Sequence, residues 1–394
     1  MERKRLSLLV AHPWMARGGS EATAVWTVNA LQDEYDVTFV TAASVDWESL
    51  NRAYGTAVEP GRVNLLKAPA LPGVDSPLRF THLQVRYFER YCHGIASGYE
   101  LCLSAYNPIC FGRPGIQLIG DFSFCEEMRK RLYIFGESRP QHRATWLRRL
   151  YLAVGAAMEV KKPLLSERGD LILANSKWSA DQLEAFFGVS GAGVIYPPVI
   201  LPRTEMEVKR DPLGFVCLGR VVPEKEIERI VRILGQVRQS GYPVTLRLIG
   251  NLDDSEYSRG ISDLIGKHRD WITPTGFLDL EAKQAILASQ TYGLHACRIE
   301  AFGIAVAEMA SMGCVPFVPS TGGAGEILPF PELQFATDEE AVAKIIEMLG
   351  SPDRMQYFRS QLPGLMEQFG PEKFMNQLRE MVQEFLNSQQ IARR

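Results

Sequence analysis

The chain has 394 residues, 46% of them hydrophobic, which is about twice the usual domain length and enough to fill two cores. Its formal net charge of −3 argues against general nucleic-acid binding, because nucleic-acid-binding domains are usually strongly basic. Seven cysteines without a C-x-x-C pair predict neither a disulfide framework nor a zinc site, and are typical of core residues in a reducing compartment.

Short runs rich in β-branched residues alternate with longer helical runs, the pattern of parallel sheets built from β-α-β units. The predicted strands form two series: 6–11, 36–41, 100–105, 116–120 and 170–175, then 215–219, 245–250, 292–296 and 315–320. The segment 196–212 separates them and predicts a linker, because it is rich in proline and charge. The fold class is therefore predicted as α/β, with two Rossmann-like, doubly wound domains facing a central cleft.

The domain boundaries follow from this division. We predict an N-terminal domain over residues 1–200, a second domain over 201–371, and a C-terminal helix over 372–394 that is long enough to leave its own domain. Open α/β sheets bind ligands at the carboxyl ends of their strands. The residues that follow strands are therefore the first candidates for function.

The first such candidate is the RGGSEA segment, where Gly18 and Gly19 precede a helix predicted to start near Ser20. Glycines allow a ligand to approach the backbone closely, and Ser20 suits an N-cap. A tight turn explains the glycine pair equally well. His12 and His295 also follow strands, and we interpret both as structural histidines rather than bases.

Two cationic residues, Arg220 and Lys225, follow the first strand of the second domain at a spacing that lets both reach one point. Cations there would neutralise the charge that develops on a departing nucleotide diphosphate. The alternative is that Arg220 caps a loop and Lys225 is a solvated residue in the first turn of a helix.

The most specific pattern lies in residues 295–326, HACRIEAFGIAVAEMASMGCVPFVPSTGGAGE. Glu300 and Glu308 stand across a strand-to-helix junction, so one carboxylate is expected in the turn and the other in the helix. Four backbone amides are expected at the helix N-terminus, those of Ala301, Phe302, Gly303 and Ile304. A helix N-terminus attracts phosphate, so this pocket suits a nucleotide sugar. From the spacing alone, a solvated acidic helix is the alternative.

This segment resembles the retaining GT-B glycosyltransferases of family 4, the group 1 glycosyl transferases. Their signature is two glutamates separated by seven residues around a Phe-Gly step, followed by a GGxxE segment, here Gly322, Gly323 and Glu326. The wording LHACRIEAFGIAVAEMASMG is most similar to the branch of mannosyltransferases that extend lipid-linked oligosaccharides. The GRVVPEK run likewise resembles the family's GRxxxxK segment.

The resemblance implies a GT-B fold whose second domain binds the donor and whose C-terminal helix crosses back onto the N-terminal, acceptor domain. It implies that Glu308 binds ribose hydroxyls, Glu300 binds hydroxyls of the transferred sugar, and Arg220 and Lys225 hold the diphosphate. The amides of residues 302–304 complete the leaving-group site.

In the N-terminal domain, the resemblance implies that the loop at Gly19 lets the donor and the acceptor approach. The chain departs from the family at two places: Ala301 replaces a frequent His, and Gly120 and Asp121 stand where another His is common. Asp121 is a candidate for accepting a hydroxyl hydrogen bond, although an Asp at a strand end is more commonly a turn or N-cap residue. We add it to Arg220, Lys225 and Glu300 as a candidate catalytic residue.

The implied activity is transfer of a hexose from a nucleoside diphosphate sugar to a hydroxyl of a saccharide or lipid-linked saccharide, in polysaccharide or glycolipid biosynthesis. The resemblance implies retention of the anomeric configuration. No cofactor is expected beyond the donor substrate, and no metal, because the chain contains no D-x-D triplet.

Three alternatives remain open at this stage. A GT-B nucleotide-sugar epimerase should show an acid/base pair, and it should not combine the GRxxxxK segment with the two-glutamate signature. A two-domain dehydrogenase would need a G-x-G-x-x-G fingerprint, and residues 18–23 do not supply it. A non-catalytic sugar-nucleotide-binding subunit would be expected to lose some of Arg220, Lys225 and Glu300.

Residues 129–168 carry ten Lys or Arg against three Glu, and their apolar residues recur at helical spacing. A basic helix with an aromatic face suits an anionic membrane or a lipid diphosphate, whereas an apolar face packed on the core is the alternative. No stretch approaches the ~18 apolar residues of a membrane span. We therefore expect a cytoplasmic protein, and if residues 129–168 contact the inner face of the membrane, that contact is peripheral; both interpretations of this segment stay open.

Overall fold

The computed structural model describes residues 5–15, 18–74, 80–132, 145–202 and 208–392. These residues form two compact units. Residues up to Leu132, residues 145–198 and those from Pro371 onward belong to the first unit, and residues 199–370 to the second.

The first unit contains a seven-stranded sheet in the order β3-β2-β1-β4-β5-β6-β7, with neighbouring strands parallel throughout. Its strands are β1 (Ser7–Ala11), β2 (Asp36–Thr41), β3 (Val63–Lys67), β4 (Leu101–Ser104), β5 (Ile116–Ile119), β6 (Leu171–Ala174) and β7 (Gly193–Val194). The helices between them are α1 (Gly19–Leu31), α2 (Trp47–Tyr54), α3 (Thr81–Ile95), α4 (Glu126–Leu132), α5 (Trp146–Met158) and α6 (Lys177–Phe187).

The second unit contains a six-stranded parallel sheet in the order β10-β9-β8-β11-β12-β13. Its strands are β8 (Asp211–Leu218), β9 (Thr245–Ile249), β10 (Ile272–Gly276), β11 (Gln290–Leu294), β12 (Val315–Pro319) and β13 (Gln334–Phe335). Its helices are α7 (Ile227–Gln239), α8 (Glu256–Lys267), α9 (Leu280–Ser289), α10 (Ile304–Ser311), α11 (Ala324–Ile327), α12 (Asp338–Leu349) and α13 (Pro352–Met366). This is the doubly wound order 3-2-1-4-5-6, whose topological switch point lies between β8 and β11.

The last helix, α14 (Pro371–Ala392), packs in the first unit although it follows the second unit in the chain. Residues on one of its faces are buried in the core beneath α1: Phe374, Leu378, Val382, Phe385 and Leu386. Phe374, Leu378 and Val382 are four residues apart, and Phe385 and Leu386 lie three and four residues after Val382, which is the spacing of one face of a helix. The Arg379 Nε donates to the Ala30 carbonyl at 2.8 Å and ties α14 to α1.

The boundaries of these units lie close to the predicted ones. The first unit ends at Pro198, where the prediction was residue 200, and it continues from Pro371, where the prediction was residue 372. Within the predicted linker, residues 203–207 lie outside the described part of the chain. Among the described residues, no helix combines the length and the apolar content needed to cross a bilayer.

Candidate active site

The switch point of the second sheet brings two loops together, one after β8 and one after β11. The β8 loop contains Arg220 and a 3-10 turn, Pro223–Lys225, before α7 begins. The β11 loop contains Glu300 and ends where α10 begins. Two side-chain pairs join the loops: Lys225 with Glu300, and Arg298, which donates to Glu226 at 3.0 Å. The two signature segments of the sequence therefore meet at one place.

A charged cluster of three residues lies at the centre of this place. The Lys225 ammonium donates to Oε2 of Glu300, and both side chains are about four-fifths buried. Nε2 of buried His295 lies 3.1 Å from the same carboxylate oxygen. Glu300 is thus held between two nitrogen-bearing side chains.

The pKa shifts of this cluster fix its charges. Burial raises the pKa of Glu300, but Lys225 and His295 outweigh burial and hold the pKa well below its usual range. Burial lowers the pKa of Lys225, but Glu300 outweighs burial and raises it. Burial lowers the pKa of His295 and outweighs the nearby carboxylate. At neutral pH the cluster therefore holds an ammonium, a carboxylate and a neutral imidazole.

Arg220 differs from Lys225 in its surroundings. Its side chain is exposed, and it makes no hydrogen bond or ion pair with another described residue. It is close enough to Lys225 to oppose the lysine's charge, which disfavours the protonated lysine. An unpaired guanidinium beside a buried ammonium attracts an anion, and its planar fork suits phosphate oxygens.

The start of α10 faces the same loops. Gly303 is the N-cap residue, with φ of 109°, a backbone conformation that favours glycine, and no side chain in the described part of the chain caps the helix. Ile304 is the first helical residue, while Ala301 and Phe302 precede the helix in the turn. The Phe302 ring is buried against Phe369. The N-terminus of α10 is therefore, after the Arg220 guanidinium, the second feature of this site that favours binding of an anion.

The GGxxE segment supports the Glu300 turn directly. The Gly323 amide donates to the Glu300 carbonyl at 2.7 Å. A Cβ atom at Gly323 would lie 2.1 Å from the Ala301 carbonyl oxygen, and one at Gly322 would lie 2.7 Å from the Glu300 carbonyl oxygen. Both glycines are thus required because one backbone segment crosses another within van der Waals distance.

The second glutamate, Glu308, lies in the second turn of α10 and is paired with a residue that the sequence did not indicate. The Lys283 ammonium, on α9, donates to Glu308 Oε1 at 2.5 Å, and both side chains are largely buried. Glu308 and Lys283 line a small pocket with Ile200, Leu280, Gln284, Leu287 and Met312. Lys283 was missed because it joins the site through a contact between two helices, and a single lysine has no motif.

We expect Lys283→Met to raise the KM for the donor about tenfold with little change in kcat. The reason is that a charge-assisted hydrogen bond that orients Glu308 contributes about 1.5–3 kcal/mol, and 1.4 kcal/mol corresponds to tenfold in binding. Steady-state kinetics over a donor concentration series measure the split. Lys283→Arg is the matched control and should retain most of the donor affinity. An unchanged KM for Lys283→Met would show that Lys283 does not orient Glu308.

His295, which we interpreted from the sequence as a structural histidine, is buried against Glu300. It lies directly after β11 at the switch point of the sheet. The other histidine, His12, is fully buried beside the Trp14 carbonyl, and burial lowers its pKa to about 4. His12 is therefore neutral near pH 7.

The remaining candidates lie in the first unit. Gly19 is the first residue of α1, and Gly18, not Ser20, is the N-cap residue, so the predicted cap is wrong. Ser20 instead donates to Glu21 at 2.9 Å. Asp121 Oδ1 accepts from the side chain of Asn107 at 2.7 Å and from the backbone and hydroxyl of Ser123. These bonds form a turn at the end of β5, which favours the structural interpretation of Asp121.

Potential metal ligands also occur in the cluster. Ligand atoms of His295, Cys297 and Glu300 lie within 4.8 Å of one another. Lys225 contacts the same carboxylate, and burial raises the pKa of the Cys297 thiol to about 12, so the thiol is protonated. An ammonium at the site and a protonated thiol both oppose a cation there.

The two doubly wound units define the class of fold, which is that of GT-B glycosyltransferases. Sucrose-phosphate synthase from Thermosynechococcus elongatus superposes with a TM-score of 0.71 at 14% identity, covering 98% of this chain and 100% of that one. HepE from Anabaena, in complex with UDP and glucose, superposes with a TM-score of 0.67 at 14% identity, covering 96% of this chain and 100% of that one. These likenesses show the fold.

Residues 212–351 match the family of glycosyl transferases group 1. Two relatives match over a similar length. A GDP-Man:Man(3)GlcNAc(2)-PP-Dol alpha-1,2-mannosyltransferase from Eremothecium gossypii is 25% identical over 169 residues, 39% of this chain and 29% of that protein. The phosphatidylinositol N-acetylglucosaminyltransferase GPI3 subunit from Saccharomyces cerevisiae is 26% identical over 146 residues, 36% of this chain and 31% of that protein. The match spans less than a third of each relative.

Proposed function

We propose that this protein is a retaining glycosyltransferase that moves a hexose from a nucleoside diphosphate sugar to a hydroxyl of a saccharide acceptor. The observation that carries the proposal is the cluster of Lys225 and Glu300 at the switch point of the second sheet. Beside it lie Arg220, whose side chain has no partner among the described residues, and the start of α10, which no described side chain caps. Two cations and a helix N-terminus suit a diphosphate, and a fixed carboxylate beside them suits sugar hydroxyls. Neither the epimerase nor the dehydrogenase alternative has a specific observation in its favour.

The chemistry assigns a role to each of these groups. The bond between the sugar C1 and the diphosphate oxygen breaks while the acceptor oxygen bonds to C1, and the acceptor's proton passes to the departing diphosphate. Arg220 and Lys225 neutralise the charge that develops on the diphosphate. Glu300 accepts hydrogen bonds from hydroxyls of the transferred sugar, and Glu308 from those of the ribose.

The acceptor that we propose is a saccharide or a lipid-linked saccharide, in the biosynthesis of a cell-surface polysaccharide or glycolipid. Support comes from the Eremothecium relative, whose name specifies a dolichol-linked acceptor. We further propose that the protein acts in the cytoplasm and contacts the inner face of the membrane through 129–168. Residues 133–144 of that segment lie outside the described part of the chain.

Retention of configuration is tested by the anomeric linkage of the product. We expect an α-linked product from an α-linked donor such as UDP-glucose or GDP-mannose, without a covalent sugar–enzyme intermediate, because an inverting enzyme needs a general base opposite the leaving group. The anomeric couplings in the NMR spectrum of the product distinguish the outcomes: the H1–H2 coupling for a glucosyl product and the one-bond C1–H1 coupling for a mannosyl product. A β linkage would contradict the mechanism.

Independence from metal ions is a separate expectation. Activity should survive EDTA and also 1,10-phenanthroline, because Lys225 already supplies a cation at the carboxylate where a metal would bind. The measurement is the initial rate before and after dialysis against each chelator. If activity is lost and then restored by Mg²⁺, Mn²⁺ or Zn²⁺, the electrostatic account of the leaving-group site is wrong.

A further inference from the structure

Glu226 directly follows Lys225 and stands where the β8 loop becomes α7. It is the N-cap residue of α7, with φ of 48° and ψ of 48°, the left-handed backbone conformation. That conformation favours glycine and strains a residue that has a Cβ atom. A glutamate therefore occupies a position that glycine would fill with less strain.

The carboxylate of Glu226 also lies in an unfavourable environment. Its side chain is 13% exposed, and burial raises the pKa of Glu226 more than Arg298 and Arg229 lower it. When the pKa of a carboxyl is higher in the folded than in the unfolded chain, ionisation of that group lowers stability at every pH above the unfolded-state pKa. Glu226 thus lowers stability at neutral pH through its backbone and through its charge, and such strain concentrates at functional sites.

The Glu226 carboxylate joins the two loops of the candidate site. Arg298 Nη2, in the β11 loop, donates to Glu226 Oε2 at 3.0 Å. The Arg298 carbonyl accepts a hydrogen bond at 2.8 Å from the hydroxyl of Thr321, which immediately precedes the GGxxE segment. Arg298 therefore contacts the β8 loop through its side chain and the GGxxE segment through its backbone. We name the Glu226–Arg298 pair the loop clasp.

The other side-chain pair between these loops, Lys225 with Glu300, consists of the groups that bind the donor in the proposed reaction. When Lys225 holds the diphosphate and Glu300 holds hydroxyls of the sugar, their contact with each other weakens. The loop clasp uses neither group, yet Glu226 is adjacent to Lys225, and Arg298 lies two residues before Glu300. The clasp can therefore hold both loops while their neighbouring side chains bind the donor.

We propose that the loop clasp holds the Lys225 ammonium and the Glu300 carboxylate in place for sugar transfer while the donor occupies the site. Glu226 and Arg298 are then positioning residues, which act through the groups beside them. This inference rests on the proposed function. A strained and charged residue in place of glycine lowers stability and orders the site before the donor binds, as in other preorganised active sites.

Glu226→Gly separates a positioning role from a merely structural one. Glycine suits the left-handed backbone and removes the buried carboxylate, so the melting temperature should not fall. The kcat should nevertheless fall about tenfold or more, because a small displacement of reacting groups is costly, and it should change more than the KM for the donor. A structural residue would show the opposite result, a lower melting temperature with kcat retained in the folded protein.

Arg298→Met breaks the same contact from the other side. Its kcat should fall by a similar factor, and it should melt at a lower temperature because the buried carboxylate loses its partner. The double variant with Glu226→Gly should be no slower than either single variant, since both changes remove one interaction. Phe80→Gly is the matched control: Phe80 is the N-cap residue of α3 in the first unit, with φ of 55° and ψ of 43°, and its replacement should leave kcat unchanged.

Hydrogen exchange measured by mass spectrometry tests the clasp without any substrate. The amides of Lys225 and Glu226 donate to the carbonyls of Val222 and Pro223 at 2.9 and 3.1 Å. In Arg298→Met these amides should exchange about tenfold faster than in wild type, while the amides of strand β9 exchange as before, because the loop opens locally. Phe80→Gly should exchange like wild type in both segments.

The outcomes separate this proposal from the proposed function. If wild-type protein transfers sugar and both clasp variants match its kcat, or if exchange in the β8 loop is unchanged in Arg298→Met, the clasp does not position the site. A Glu226→Gly variant that loses melting temperature together with activity would also overturn the proposal. Wild-type protein that transfers no sugar from any nucleotide sugar would instead contradict the proposed function, and the role of the clasp in transfer with it.

Discussion

Arg220→Ala and Lys225→Ala are each expected to lower kcat by about 10²-fold or more, the usual effect of losing one preorganised electrostatic contact to a developing charge. The two variants should differ in stability. Arg220 is exposed without a described partner, so its removal should leave the melting temperature unchanged. Lys225→Ala leaves a largely buried Glu300 carboxylate without its ammonium partner and should lower the melting temperature.

The measurement is turnover at saturating donor, at a temperature where both variants are folded, with Lys267→Ala as control. Lys267 is exposed at the end of α8 and should behave as wild type in turnover and stability. If both variants turn over like wild type, the leaving-group site is in the wrong place. If Arg220→Ala is active and Lys225→Ala merely unfolds, the cluster is structural and not catalytic.

Gly323→Ala should cost about 10²-fold in kcat and about 1–3 kcal/mol in the free energy of unfolding. Gly323 has φ of −70°, which alanine adopts readily, so the whole effect is steric. The added methyl group would lie 2.1 Å from the Ala301 carbonyl oxygen and 2.9 Å from the Phe302 Cα, and would push the turn that carries Glu300 out of place. Kinetics and chemical denaturation measure the two effects.

Gly260→Ala in α8 is the matched control, because its added methyl group would meet no atom within 4 Å. It should leave kcat unchanged and stabilise the fold by about 0.5–1 kcal/mol through helix propensity. Wild-type activity in Gly323→Ala would mean that the GGxxE segment does not position Glu300.

The strands that the sequence predicted are the inner strands of the two sheets, and those it did not predict are the edges. β3, β7, β10 and β13 all lie at a sheet edge. β3 and β10 are largely exposed, and β10 contains Pro274, so neither forms a continuous apolar run. β7 and β13 have two residues each, too few for any pattern. A pattern search that depends on burial finds the strands that are buried on both faces.

In the candidate site, too, local sequence patterns predicted some features, and contacts between residues distant in the chain were not predicted. Spacing and resemblance located Arg220, Lys225, Glu300 and Glu308, because each stands at a fixed distance from a strand end. The partners that hold them could not be predicted, because the Lys225–Glu300 and Lys283–Glu308 pairs join elements 75 and 25 residues apart. The sequence likewise did not show that the apolar face of α5 is exposed. A periodic pattern identifies an apolar face of a helix, but it does not say whether that face packs on the core or lies in solvent.

The central claim, that the second unit binds a nucleoside diphosphate sugar through Arg220 and Lys225, is tested most directly by thermal unfolding in the presence of UDP, GDP and ADP sugars. One donor at 100 times its dissociation constant should stabilise the wild-type protein by about 2.7 kcal/mol. At that donor concentration the free energy of unfolding of Arg220→Ala should rise markedly less than that of wild type, while that of Lys267→Ala should rise by as much as that of wild type. A protein that none of these donors stabilises, or an Arg220→Ala variant stabilised as fully as wild type, would contradict the account.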